Sequence, residues 1–131
     1  KPLIVDFFSE AGSTCMTNLE NAHITFHETA GEKCGFGTDN STLIFHKYAG
    51  DECASYADNS EIYFHGGIGD GCGVGCKNSN FYSPDENTLR RIATQWQSIG
   101  GKLPRECAQS AMATCKFYLI DGSGKSEEVT F

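Results

Sequence analysis

Basic residues are scarce in this chain: ten Lys and Arg face seventeen Asp and Glu, a formal charge of −7. A surface of that sign repels phosphate backbones and anionic headgroups, which argues against a nucleic-acid partner. Long apolar runs are missing too. Nothing approaches the roughly 20 residues a spanning helix needs, so no membrane span is expected. Proline is limited to three residues and tryptophan to one. Turns must therefore come from the fifteen glycines and from Asx residues. No linker, low-complexity tract or second composition interrupts the 131 residues, so a single domain over 1–131 is expected. Absent motifs exclude further classes. There is no G-x-S-x-G for a serine hydrolase, no C-x-x-C for redox exchange, and no lysine to turn the glycine run into a phosphate loop.

What is present is a gapless repeat of nineteen residues, four times over: Val5–His23, Ile24–Thr42, Leu43–Glu61 and Ile62–Asn80. Phe7, Phe26, Phe45 and Phe64 share one column; Gly12, Gly31, Gly50 and Gly69 share another; Cys15, Cys34, Cys53 and Cys72 share a third. Asn40-Ser41, Asn59-Ser60 and Asn78-Ser79 recur near the repeat ends. A fixed period marks one supersecondary unit reused, with neighbours burying each other's apolar face. Each unit opens with strand-like alternation, as in Ile24-Thr25-Phe26-His27, then breaks at a small residue and glycine.

Two stackings fit. In an antiparallel meander each repeat is a hairpin, and column residues lie about 9–10 Å apart, beyond disulfide reach. In a parallel solenoid they lie about 4.8 Å apart, and Cys15–Cys34 or Cys53–Cys72 bridges become feasible. Short connections and the greater frequency of antiparallel sheets favour the meander or Greek key.

After Tyr82 the pattern changes to helix. Ser83 as N-cap, Pro84 at the first position and Glu86 at the third form a capping box. Leu89, Ile92, Ala93, Trp96 and Ile99 follow at helical spacing, and Gly100-Gly101 ends the run. Trp96 reads as a packing anchor. Pro104 opens a second helix that places Cys107, Ala111 and Cys115 on one face, suited to pinning it to the sheet. Lys116–Ile120 and Glu127–Phe131 read as a closing hairpin around Asp121-Gly122-Ser123-Gly124. The expected fold is thus α+β. An antiparallel sheet from the repeat region (5–82) is covered by the Ser83–Ile99 helix and closed by the C-terminal hairpin, the whole stapled by disulfides.

Seven cysteines in so short a chain point to an oxidising compartment. Cys15, Cys34, Cys53, Cys72, Cys76, Cys107 and Cys115 allow about 105 arrangements of three bridges and one leftover thiol, which stays free or links two chains as a disulfide-bonded dimer. Cys72 and Cys76 have a spacing that zinc tolerates, but no second pair matches it. The start at Lys1-Pro2 suits a processed, secreted chain, and Asn40-Ser41-Thr42 is a glycosylation sequon.

The strand-turn-Cys block ITFHETAGEKC is similar in style to small secreted fungal proteins that act outside the cell as effectors or killer-type toxins. That resemblance, over Val5–Phe81, implies a non-enzymatic virulence or toxin-like protein with a host or competitor target, protein or glycan. The aromatic strand followed by a glycine turn also resembles βγ-crystallin Greek keys, although Asp39-Asn40 and Asp58-Asn59 do not complete their calcium signature.

Few constellations carry chemistry. His27, His46 and His65 share a column and are the candidate ligands for a metal or the candidate bases of a hydrolase, both readings ranked below plain binding. Gly66, Gly67, Gly69, Asp70 and Gly71 form the candidate binding loop, because glycine there frees the backbone. Glu32, Asp51, Glu52 and Asp70 read as solvated turn residues. No catalytic residue and no cofactor is assigned.

Overall fold

The computed structural model describes residues 2–97 and 104–131. Ile99, Gly100 and Gly101 lie outside the described residues. The repeats do not form hairpins. Each is one full coil of a parallel β-solenoid of about four turns, which corrects the antiparallel expectation. The strands β1 (Leu3–Phe7), β2 (Ala22–Phe26), β3 (Thr42–Phe45), β4 (Glu61–Phe64) and β5 (Asn80–Ser83) lie side by side in sequence order. Their register is the repeat itself: Leu3 opposite Ala22, His23 opposite Thr42, Thr42 opposite Glu61, Glu61 opposite Asn80. Two thinner lines of parallel bridges complete each coil, through Ala11, Ala30, Ala49 and Ile68 and through Glu20, Asp39, Asp58 and Lys77.

Parallel stacking prevails because it sets like on like. Phe7, Phe26, Phe45 and Phe64 stack with ring centroids 4.7–5.2 Å apart inside the coil. Ile24, Leu43, Ile62 and Phe81 run beside them, all fully buried. Serines form a third interior ladder. The hydroxyls of Ser41, Ser60 and Ser79 accept from the amides of Ala22, Ser41 and Ser60, and donate to the carbonyls of Asp39, Asp58 and Lys77. A meander would separate these columns and take from the hydroxyls the amide donors of the neighbouring repeat.

The cysteine column is also interior, and its thiols are unbridged. Cys34, Cys53 and Cys72 each donate to a carbonyl of the preceding coil, those of Gly12, Gly31 and Gly50, at 3.1 Å. Cys76 donates to Ala54 at 2.9 Å. Disulfide stapling is therefore corrected: the sulfurs are hydrogen-bond donors in a stacked core. The neighbouring Cys53 sulfur lowers the Cys34 thiol below the ordinary thiol range. Cys53 moves the other way, raised first by Cys34, then by Cys72 and by burial.

Between the bridge lines the chain turns by alternating positive φ: Thr14, Met16 and Asn18 in the first coil, Lys33, Gly35 and Gly37 in the second. Glu52, Ala54 and Tyr56 follow in the third, and Gly71, Gly73 and Gly75 in the fourth. The glycine run is thus the fourth copy of a turn that the other coils make largely with side chains.

After β5 the chain caps the coil with α1 (Glu86–Thr94), a 3₁₀ turn at Gln95–Gln97 and α2 (Arg105–Met112). It then returns as β6 (Lys116–Ile120), parallel to β5, and β7 (Ser126–Val129), antiparallel to β6. The helix starts later than the capping-box reading. Asp85 is the N-cap, accepting from the amide of Asn87 and the hydroxyl of Thr88. Ser83 is held in the strand with its side chain buried, which removes it from the cap. Leu89 and Ile92 meet the coil as expected, and Trp96 is partly buried against it. In α2 the buried face is Ala108 and Met112, not the one carrying Cys107, which is exposed. The expected pinning by Cys107 is corrected accordingly.

Candidate functional site

Alternation along the five parallel strands sends every second side chain outward. On the outer sheet face this makes three columns. Asp6, Thr25, Ile44, Tyr63, Tyr82 and Tyr118 form the middle one. Phe8, His27, His46 and His65 follow the strand ends, and His23, Thr42, Glu61, Asn80 and Lys116 occupy the third. The rings stack along the solenoid axis. Phe8, His27, His46 and His65 have centroids 4.4, 5.4 and 5.1 Å apart; Tyr63, Tyr82 and Tyr118 follow at 4.3 and 5.1 Å.

This stacking decides the chemistry. Ring faces are occupied by their neighbours, so the face presents edges: imidazole nitrogens and phenol hydroxyls about 5 Å apart. Sugar stacking needs an open ring face, and few remain. Metal binding needs nitrogens that converge. Stacked, near-parallel imidazoles point theirs the same way, and among the described residues no group of three His, Cys, Asp or Glu could hold an ion. The one imidazole–carboxylate pair among the described residues is His27 Nε2 with Asp6 Oδ1 at 2.9 Å. His27 and Glu28 do not converge.

The face is stiff. Glu61 accepts from the Asn80 amide and the Tyr82 hydroxyl, both at 2.8 Å. Burial, then that bond to Glu61, push the Tyr82 hydroxyl up, so it stays a donor at neutral pH. Burial, and then the neighbouring His46, lower the pKa of His65. At the upper end the β6–β7 turn stands over the sheet and closes a groove of about 530 Å³, lined by His46, His65, Tyr63, Tyr82, Pro84 and Ile120 among others. The turn is pinned by Asp121, whose carboxylate accepts from the hydroxyl and amide of Ser123 and the amide of Lys125. Those bonds hold its carboxyl below the usual range.

The other sequence-derived candidates lie elsewhere. The segment Gly66–Gly71 is a seam, not an open loop. A Cβ on Gly66 would sit 2.5 Å from the Lys47 carbonyl oxygen, and one on Gly69 would sit 2.7 Å from the Asp51 amide nitrogen. Helix α1 and the 3₁₀ turn after it close over this seam: Arg91 of α1 donates to the Ile68 carbonyl and to Asp70, and Gln95 of the turn bonds the Gly71 amide and the Cys72 carbonyl. Asn40 is exposed on a left-handed turn, its Oδ1 accepting from the Asn59 side-chain amide at 3.4 Å. Cys15 and Cys115 are half-buried, and Cys107 is far from the column.

Sequence reading placed the three histidines in one column. It missed Tyr82, Tyr118 and the β6–β7 rim. Tyr82 was legible from the repeat period; Tyr118 and the rim depend on the crossover that returns β6 beside β5.

No family model, no curated protein and no solved structure matches this chain. The reading therefore rests on its own geometry. No helix among the described residues is long and apolar enough to cross a membrane.

Proposed function

We propose that this chain is a non-enzymatic binding protein whose contact surface is the outer sheet face, with the groove under the β6–β7 turn as its centre. The observation that carries the reading is the rigid array of ring edges on His46, His65, Tyr63 and Tyr82 beside an open groove. Tyrosine offers a large amphipathic contact at small entropic cost, and a flat face of this kind suits a protein target better than a glycan. The action is proposed to be extracellular, on a host or competitor protein. With the column thiols unbridged, the support for that setting is the exposed sequon at Asn40 and the resemblance in style to secreted effectors. A hydrolase using the repeat histidines is the weaker reading, because His27–Asp6 is an acid–base pair with no nucleophile assigned to it.

The test is a binding screen against a panel of extracellular proteins and a glycan array. A protein hit should weaken at least about tenfold in Tyr63→Ala and His65→Ala and be unchanged in Asp51→Asn on another face. A hit indifferent to Tyr63 and His65, a glycan-only profile, or turnover of a substrate lost with His27→Ala would sink the proposal.

A further inference from the structure

The two ends of the solenoid are unlike. The C-terminal end is closed by α1, α2 and the β6–β7 pair, whereas the first coil packs on the second with one side and on its other side is covered by nothing among the described residues. Its core columns show this directly. Ile24, Phe26 and Cys34 are fully buried, but their first-coil equivalents Val5, Phe7 and Cys15 are only partly so. Leu3, Ile4 and Phe8 are 50%, 68% and 75% exposed.

The free edge of β1 has a definite pattern. The Leu3 amide donates to Asn21, and the Phe7 carbonyl accepts from His27. Strand alternation then turns the amide and carbonyl of Ile4 and Asp6 away from β2, to the open edge. A strand laid antiparallel to β1 with its two-fold axis at Val5 satisfies all of them. Ile4 of one copy and Asp6 of the other exchange both hydrogen bonds, and the reverse pair does the same. On the interior side Leu3 meets Phe7 of the second copy, and Val5 meets Val5. Large apolar residues flank a small centre, so the strip is complementary to itself.

From this geometry we infer that the first coil is a homodimer interface: two copies join head to head through antiparallel β1 strands, making one continuous sheet and core. The occupant is a second copy for three reasons. The strip Leu3-Val5-Phe7 is complementary to its own reverse. Leu3, Ile4 and Phe8 alone leave on the order of 350 Å² of apolar surface open, already a large patch for a monomer. The partly buried Val5, Phe7, Met16 and Leu19 continue that apolar surface across the end of the coil. Third, head-to-tail growth would set β1 against β7, whose exposed Glu127 and Glu128 make that edge charged and costly to dehydrate. The contact therefore closes at two copies.

Sedimentation velocity of the 131-residue chain from about 1 to 100 µM should show monomer passing to dimer and nothing larger. Hydrogen exchange should slow at the amides of Ile4 and Asp6 as concentration rises. Ile4→Pro removes an edge donor that β2 does not use, and Leu3→Glu places charge opposite Phe7 of the second copy. Both should raise the dissociation constant at least about tenfold, with the circular dichroism of the monomer kept. If Ile4→Pro fails to fold, Leu3→Glu decides. A monomer over the whole range, a dimer indifferent to these changes, or filaments beyond the dimer would overturn the inference.

Discussion

Among the described residues the buried hydroxyl of Thr38 has no hydrogen-bond partner, whereas those of Ser41, Ser60 and Ser79 in successive coils are fully used. Its nineteen-residue equivalents are Leu19, Ala57 and Cys76, so the position is built for an apolar or weakly polar group. An unpaired buried hydroxyl costs about 1–3 kcal/mol. Thr38→Val keeps the shape and removes the polar atom; it should raise unfolding free energy by about 1 kcal/mol in a denaturant titration. A loss of stability would show that the hydroxyl has a partner after all. Gly73 is the reverse case. Its φ is +76°, and an added Cβ would lie 2.8 Å from the Phe81 ring and 3.0 Å from Ile92. Gly73→Ala should cost about 2 kcal/mol or more by the same titration, since strain and overpacking add. The residue types at these positions were visible beforehand, but not their meaning. The repeated Asn-Ser pairs read as turns, whereas the structure shows Asn in the left-handed turn and Ser as an interior strut one residue on.

At the scale of an element, the imidazole ladder links structure to pH. His65 is partly desolvated and faces His46, so its folded pKa lies below the unfolded value of about 6.5. The sign follows. Stability from the neutral ring is present above about pH 6.5 and is lost as pH falls through the lower folded value. The melting temperature should therefore drop between about pH 7.5 and 5, and His65→Gln should flatten part of that drop. An unchanged slope in His65→Gln would show that His65 does not carry the effect. The ladder was legible as a column in the sequence, and so were the strand beginnings and the helix stripe of Leu89, Ile92 and Trp96. What misled was the short second segment of each repeat. Its short connections, with the greater frequency of antiparallel sheets, favoured a hairpin return. In the structure it is a turn of alternating φ that carries the chain round to the next parallel strand.

For the whole molecule, the unbridged thiols make a test that reaches every coil. In the native protein Cys107 is exposed while Cys34, Cys53, Cys72 and Cys76 are buried. A thiol reagent should modify Cys107 fast and the buried column only on unfolding, and all seven cysteines should react in denaturant without reductant. Fewer reactive thiols in denaturant would mean bridges, and with them a different arrangement of coils.

Taken alone, the sequence determined the unit and its period. Nineteen-residue spacing, aromatic and sulfur columns and the change to helix after Tyr82 are local properties, set by side-chain chemistry and turn chemistry within one repeat. Tertiary structure decided how the units meet. Parallel and antiparallel stackings share the same local pattern, and they differ only in whether identical side chains of successive repeats touch. Stacked phenylalanines, paired serines and thiol donors gain from parallel contact at about 5 Å, and that gain between coils exists only once they are assembled.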